Sequence, residues 1–466
     1  MTDQLETPDL LDACDLVALA DHIAQGDISA EAVTQAALTL AEASTPLNAF
    51  VRIDREGALS AARAADAARA QNQPLGLLHG VPLAHKDMFY RAGRVTGCGS
   101  KIRADFVADE TCPLLSSLDA AGAIEIGQLN MAEFAMGPTG HNAHLGRCRN
   151  PWNLDAITGG SSSGSGAAVA ARIVAGALGS DTGGSVRLPS AFCGVAGLKP
   201  THGLLANTAM MPLSESLDTA GPLARSSRSL ARLMSVLTAG AQDYEAALRE
   251  DLKGLTIGLP TAYYTEDLSP EIAAAYAAAA DTLRDLGARV IEVELPDQSH
   301  LAAMAALVWA PEAAAQHLDW LRERPGDYGE QVRNRLMHGL AIPATTYVQA
   351  RRLRGADLAA MLAGPFAQCD IIATPAVRTI TPLAEDASAI SGAAMDKVIG
   401  DLSALTRTIS YLGLPALATP MGFDTRGLPM GLQLIGAPRA EGTLMAAAHA
   451  YECASRWLDR PLPKAY

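Results

Sequence analysis

Apolar and polar positions along the chain change period several times, and each change marks an element. Over residues 8–45 apolar residues recur at three- and four-residue steps: Leu16, Leu19, Ala20 and Ile23, then Val33, Ala36, Ala37 and Leu40. That spacing predicts helices, and the alanine-rich stretch 55–70 predicts another. GVPLAHKDMF (80–89) is a short apolar run that opens on Gly80 and closes on Lys86-Asp87, so it reads as a buried strand ending in a polar site. A helix is expected over 107–123 and a strand over 124–130. The apolar run AAVAARIVAGAL (167–178) is too short and, with Arg172, too charged to span a bilayer, and reads as a buried helix.

The same alternation returns in the second half. Strands are expected at 255–260, 288–296, 369–376, 414–422 and 429–437, with helices at 271–287 and 441–458. Residues 300–365 read as a helical insertion or cap that forms part of a substrate pocket. Strands alternating with helices predict an α/β fold, a mixed central β-sheet covered by helices on both faces. Neither a tandem repeat nor a long Pro/Gly/Ser linker divides the 466 residues, so one large domain is expected over 1–466, with 1–70 contributing N-terminal helices.

Composition narrows the function classes. The formal charge of −14 disfavours direct binding to nucleic acid or an anionic membrane. The N-terminus MTDQLETPDLLDACDL has no basic region followed by an apolar one, so no secretory signal is expected. The 7 cysteines are an odd number without a CxxC pair, which suits reduced thiols in the cytoplasm.

The middle, 137–203, is unusually rich in Gly and Ser. A linker would not run straight into a strong apolar segment as TGGSSSGSGAAVAA (158–171) does, nor be followed by a second glycine cluster, GSDTGGSVRLPS (179–190). A phosphate loop would need a lysine after its glycines, and none is there. The two clusters together resemble the amidase signature family, from Gly159-Gly160-Ser161-Ser162-Ser163-Gly164 to Asp181-Thr182-Gly183-Gly184-Ser185-Val186-Arg187 and Pro189. The family's 24-residue interval between its two catalytic serines is kept. GVPLAHKD resembles its lysine motif, and YLGLPALATPMGF and GLPMGLQLIG its C-terminal strands, so the likeness runs over roughly 8–460 and is weakest in 300–365.

The resemblance implies a Ser-Ser-Lys triad: Ser185 as nucleophile, Ser161 as bridge and Lys86 as base. The chemistry of the residues agrees. A serine hydroxyl needs a base to become nucleophilic, and no histidine lies within the motif. Lys86 can serve if burial keeps it neutral. The backbone N–H groups of Thr182, Gly183, Gly184 and Ser185 are the expected oxyanion hole, with glycine allowing close approach. Ser162, Asp181 and Arg187 are expected to support the loop rather than touch substrate. The family also implies a cis peptide before Ser161. Cleavage of a carbon–nitrogen amide bond through an acyl-enzyme on Ser185, releasing ammonia or an amine, calls for no metal and no cofactor.

Other features are weaker. Met136, Gly137 and Thr139 match a family segment that lines the acyl pocket. His141 and His144 lack matched acidic or cysteine ligands, so no metal site is expected. His85 beside Lys86 is expected to pack. The family's usual asparagine before the C-terminal Leu-Pro-Ala segment is Ser410 here. A stand-alone amidase on a small-molecule amide is the first expectation, with a homodimer left open. The same motifs occur in the glutaminase subunit of tRNA-dependent amidotransferases, and a non-catalytic binding protein on this scaffold is the third reading. The amide itself stays open.

Overall fold

A computed structural model describes residues 11–462, so the start of the 8–45 helical stretch lies outside the described residues. After a helical end at 11–13, the helices Leu16–Gln25 and Ala30–Ala43 follow, separated where Gly26 takes a left-handed φ of 84°. Leu16, Leu19, Ala20, Ile23, Val33, Ala36 and Ala37 all face the core. The 55–70 helix is present as Arg55–Ala70, with the Asp54 carboxylate accepting the Gly57 N–H at its start.

Eleven strands form one sheet among the described residues. In chain order they are β1 (Phe50–Ile53), β2 (Pro82–Lys86), β3 (Ile124–Leu129), β4 (Gly176–Asp181), β5 (Ala196–Lys199), β6 (Thr219–Ala224), β7 (Thr256–Pro260), β8 (Arg289–Val293), β9 (Ile371–Pro375), β10 (Ala416–Phe423) and β11 (Pro429–Gly436). Their spatial order is β1-β3-β2-β4-β6-β5-β10-β11-β9-β7-β8. The sheet is mixed: β2 runs parallel to β3 and β4, β7 runs parallel to β8 and β9, and the other neighbours are antiparallel. Every residue of β2, β4, β9 and β11 is buried, which is why these strands read as continuous apolar runs rather than alternating ones. Both faces are covered. A Cβ on Gly431 would meet Ala191 of the helix Arg187–Cys193, whereas one on Gly436 would meet Leu444 of the helix Glu441–Ser455. Side chains alternate along a strand, so positions five apart look out of opposite faces.

Two expectations change. Residues 107–123 hold a helix only over Pro113–Ala120, because the preceding backbone bonds sideways, Cys112 N–H to Tyr90 C=O and Ala108 N–H to Arg94 C=O. The apolar run 167–178 is not one helix. The helix Ser163–Ala170 ends there, Arg172 turns the chain with a φ of 59°, and Gly176 begins β4. A fully buried helix and a fully buried strand share the same apolar signature, so periodicity could not divide them. The structure also adds β1, β5, β6 and the helices Ser227–Leu237 and Gly392–Leu412 to the expected elements.

Residues 300–365 fall largely in four helices, Gln298–Gln316, Leu318–Glu323, Glu330–Leu340 and Ala344–Ala363. The first of these packs on the third and fourth and on Gly392–Leu412. A second apolar core, including Leu301, Ala305, Val308, Ile372, Tyr411 and Ile435, joins these helices to the C-terminal strands.

The helix Ser163–Ala170 sits unusually close to the end of β3. A Cβ on Gly164 would stand 2.5 Å from the Ala49 carbonyl oxygen and 2.6 Å from the Asn130 nitrogen, both backbone. Gly164→Ala should therefore destabilise the protein by about 2 kcal/mol, overriding the gain of about 1 kcal/mol that alanine brings to a helix. Chemical denaturation measures this, and a stabilised variant would refute the close approach.

Candidate active site

Lys86 is the last residue of β2 and is 1% exposed. Its Nζ donates to Ser161 Oγ at 2.7 Å and to Ser180 Oγ at 2.8 Å. Burial pulls the Lys86 pKa down to about 7, against the opposing pull of Asp218 and Asp181. At neutral pH a substantial neutral fraction is therefore available. Ser161 is fully buried, the Gly160–Ser161 peptide is cis, and the Ser161 carbonyl accepts the Ala132 N–H. Ser162 holds the neighbouring strand: its Oγ accepts the Ser180 N–H at 3.2 Å and donates to the Ser180 carbonyl at 3.3 Å. His85 lies one residue back, where its Nδ1 accepts the Leu178 N–H and burial pulls its pKa to about 3. It is a neutral packing group.

Beyond β4 the chain turns through residues 181–187, and the turn is fastened from inside. The Asp181 carboxylate accepts the backbone N–H of Gly184 at 2.8 Å and of Val186 at 3.2 Å. It also receives Arg187 through Nε at 3.0 Å and Nη2 at 2.9 Å, with both side chains fully buried. Burial alone would raise the Asp181 pKa, but Arg187 overrides it and the group sits at about 2. Arg187 continues outward to Gln433 Oε1 at 2.7 Å and Ser410 Oγ at 2.8 Å. Ser410 in turn donates to Asp181 at 3.0 Å, and Gln433 Nε2 donates to Thr374 Oγ1 and to the Leu405 carbonyl. One buried ion pair thus ties the loop to β9, β11 and the helix Gly392–Leu412.

The loop's outer side is pinned as well. Thr182 Oγ1 donates to Asp218 Oδ1 at 2.5 Å, and Asp218 also accepts the N–H groups of Leu213 and Ser214. Burial raises the Asp218 pKa to about 6. Thr406 Oγ1 donates to the Gly183 carbonyl at 2.7 Å. Gly184 is needed here: its φ is +131°, and a Cβ would lie 2.3 Å from Thr406 Oγ1.

Ser185 is half-buried and borders a cavity of about 360 Å³, together with Gly137, Gly160, Thr182 and Gly183. The opposite wall comes from the helices Gln298–Gln316, Glu330–Leu340 and Gly392–Leu412, through Trp309, Arg335 and Arg407 among others. The structure thus brings Lys86 to Ser161 and Ser180, and the Ser162 N–H, donating to the Ser185 carbonyl at 3.3 Å, joins this group to the 181–187 loop beside the cavity.

Two expectations are corrected. Among the four N–H groups assigned to an oxyanion hole, that of Gly184 is already given to Asp181. Met136 and Thr139 do not border the cavity of Ser185; they line two others, while Ala135, Gly137 and Pro138 face it. The backbone leaves regular geometry here, with a φ of 61° at Ala135 and φ −100°, ψ 83° at Met136, and Met136 lines another cavity. His144 bonds to Glu133 Oε1 at 2.9 Å, and His141 borders the cavity of Thr139. Ser180, Asp218, Gln433, Arg335 and Arg407 had not been singled out. Only Ser180 carried a local signal, lying inside the second glycine cluster.

A mixed sheet of this kind, with a serine-rich turn and a buried lysine at adjacent strand ends, can be set beside known proteins. The Amidase family profile matches residues 32–445. The chain is 41% identical over 464 residues to a glutamyl-tRNA(Gln) amidotransferase subunit from Azoarcus sp. (strain BH72), covering 91% of this chain and 94% of that one. Among solved structures it is similar to a chain from a vestigial protein complex bearing on the origins of an s-triazine catabolic enzyme (TM-score 0.88, 34% identity, 94% of this chain and 98% of that). It is also similar to peptide amidase from Stenotrophomonas maltophilia (TM-score 0.82, 30% identity, 96% and 98%). The chain belongs to the amidase signature family and is an amide-hydrolysing enzyme.

Arg187→Met leaves the Asp181 carboxylate buried without its partner. The expected loss is about 3–5 kcal/mol of stability at neutral pH, read from urea unfolding. The sign follows from the depressed pKa: the carboxylate's contribution is present above about pH 4 and is lost as the pH falls through about 2. Unchanged stability in the variant would contradict this account of the loop.

Proposed function

We propose that Ser185 is the nucleophile of this amidohydrolase and that Ser161 relays its proton to Lys86. The observation that carries the reading is the buried Lys86 Nζ, 2.7 Å from Ser161 Oγ, with the N–H of the next residue, Ser162, donating to the carbonyl of Ser185, which borders the cavity. Ser185 Oγ attacks the amide carbonyl carbon as its proton passes through Ser161 to neutral Lys86. The negative charge that develops on the carbonyl oxygen is met by the N–H groups of Thr182, Gly183 and Ser185. Protonated Lys86 then returns a proton through Ser161 to the leaving nitrogen, the carbon–nitrogen bond breaks, and ammonia or an amine departs. Water attacks the acyl-enzyme by the reverse proton route and frees the carboxylate. Asp181, Arg187 and Asp218 hold the loop in shape. The four helices within 298–363 act as the cap of the substrate pocket, and Gly137 is the family-segment residue kept as a substrate contact.

The substrate is a small molecule, and the chain works without direct contact to nucleic acid. Seven free thiols suit a cytoplasmic setting. Among the described residues no helix is long and apolar enough to cross a membrane. The likeness to an amidotransferase component over nine-tenths of the chain favours a second reading, a glutaminase that passes ammonia to partner proteins.

Purified chain should release ammonia from members of a panel of small carboxamides without any partner. Ser185→Ala should lower that activity by a factor on the order of 10⁴ or more and abolish labelling by a fluorophosphonate. Activity confined to glutamine in the presence of co-purifying partners selects the second reading. An active, unlabelled enzyme, or an active Ser185→Ala variant, refutes the nucleophile.

A further inference from the structure

A carboxylate joins the cap to the loop that carries Ser185. Glu312 lies on the helix Gln298–Gln316, about one turn beyond Trp309, which borders the cavity of Ser185. Its carboxylate grips the segment 213–216. Ser214 Oγ donates to Oε2 at 2.6 Å, the Ser216 N–H to Oε2 at 3.1 Å and Ser216 Oγ to Oε1 at 2.6 Å. Tyr347 Oη, from the helix Ala344–Ala363, donates to Oε1 at 2.8 Å. Burial works to raise the Glu312 pKa, but the Ser214 and Ser216 donors outweigh it and hold the carboxyl below its usual range, so it stays charged. Gln316 and Arg354 add outer contacts, to the Glu215 carboxylate and the Ser216 carbonyl. Pro311, just before Glu312, has no N–H to give the helix ladder, so the anchor stands where the helix is weakest in its own bonds.

The gripped segment leads to the reacting loop in two steps. Leu213 and Ser214 give their N–H groups to Asp218 Oδ2 at 2.8 and 3.0 Å, and Asp218 Oδ1 takes the Thr182 hydroxyl at 2.5 Å. The hydroxyl and the N–H of Thr182 hang on one residue, so a fixed hydroxyl restricts where that N–H can point. Ser214, Asp218 and Thr182 are all buried, so each lost bond leaves a polar group without water to replace it, and the chain holds together as a unit. Resting on the reading of Ser185 as nucleophile, we propose that Glu312 is a positioning residue of the oxyanion hole, acting through Ser214 and Asp218 on Thr182. The helix whose Trp309 borders the substrate cavity thereby also sets one of the donors that receives the developing charge. Charged hydroxyl–carboxylate bonds of this kind are short and directional, which suits a part whose task is to hold a donor still.

Inactivation by a fluorophosphonate, resolved into kinact and KI, separates positioning from binding, because attack on phosphorus also places negative charge on an oxygen at this site. Glu312→Ala should lower kinact about tenfold, a part of the roughly 10²–10³ that a whole oxyanion donor is worth, while KI moves by less than about threefold. Glu312→Gln, which keeps an acceptor for the serine hydroxyls, should recover part of the rate. The milder Ser214→Ala should fall between the wild type and Glu312→Ala, with urea unfolding reporting the fold of each. Thr182→Val cuts the same chain at its far end, so adding Glu312→Ala to it should lower kinact by no more than about twofold further. A wild-type kinact in folded Glu312→Ala, a loss confined to KI, or losses that multiply in the double variant overturn the proposal. If Glu312→Ala does not fold, a wild-type kinact in Ser214→Ala overturns it and a lowered one supports it. A wild-type protein that the reagent does not label refutes the nucleophile and this proposal with it, whereas a labelled wild type with unmoved variants refutes this proposal alone.

Discussion

A lysine at the end of a fully buried central strand, with hydroxyls as its close partners, is the constraint around which this protein is built. Among the described residues no carboxylate forms an ion pair with Lys86; its hydrogen bonds go to Ser161 and Ser180. Desolvation therefore acts on the ammonium with only distant compensation from Asp218 and Asp181, and the pKa falls to about 7. An ion pair at the same place would hold the amine protonated and deny the proposed proton relay its base. The neighbouring strands comply: β4 lies parallel beside β2 and delivers Ser180, and the close seating of Ser163–Ala170 delivers Ser161 and Ser162 from the other side.

The buried charge that the loop does use makes no ion pair with Lys86 among the described residues. Asp181 and Arg187 satisfy one another and spread their remaining hydrogen bonds over Gly184, Val186, Ser410 and Gln433. A paired, fully hydrogen-bonded charge is rigid, and it is placed where the backbone must stay fixed. Lys199 shows that a lowered pKa alone does not mark a base. It too is buried and pulled to about 7, yet its Nζ donates to the adjoining Pro200 carbonyl rather than to a serine hydroxyl. Position beside Ser161 is what separates Lys86 from Lys199.

Much of this was legible in the sequence because it is local. The run closing on Lys86, the serine cluster and the Asp181–Arg187 stretch each lie within a few residues, and local spacing preserves their meaning. What escaped notice depends on distant packing. Asp218 meets Thr182 because β6 runs antiparallel beside β4, pairing Thr219 with Asp181. Gln433 and Ser410 reach Arg187 across more than two hundred residues of chain. Arg335 and Arg407 acquire meaning only when two helices close over the same cavity. Met136 and Thr139 line cavities other than that of Ser185, because a motif names a segment while the direction of each side chain depends on backbone angles that the letters do not carry.

The central claim, that neutral Lys86 draws the proton from Ser185, is tested most directly by the rate at which a fluorophosphonate inactivates the enzyme as a function of pH. Inactivation needs the activated serine and no particular amide. Because the base acts when unprotonated, the second-order rate should be low in acid, rise through a single transition near pH 7 and level off above it. A rate that is flat from pH 5 to 9, on the order of the range in which a lysine so placed must titrate, or one that begins to rise only near pH 10, would contradict the account.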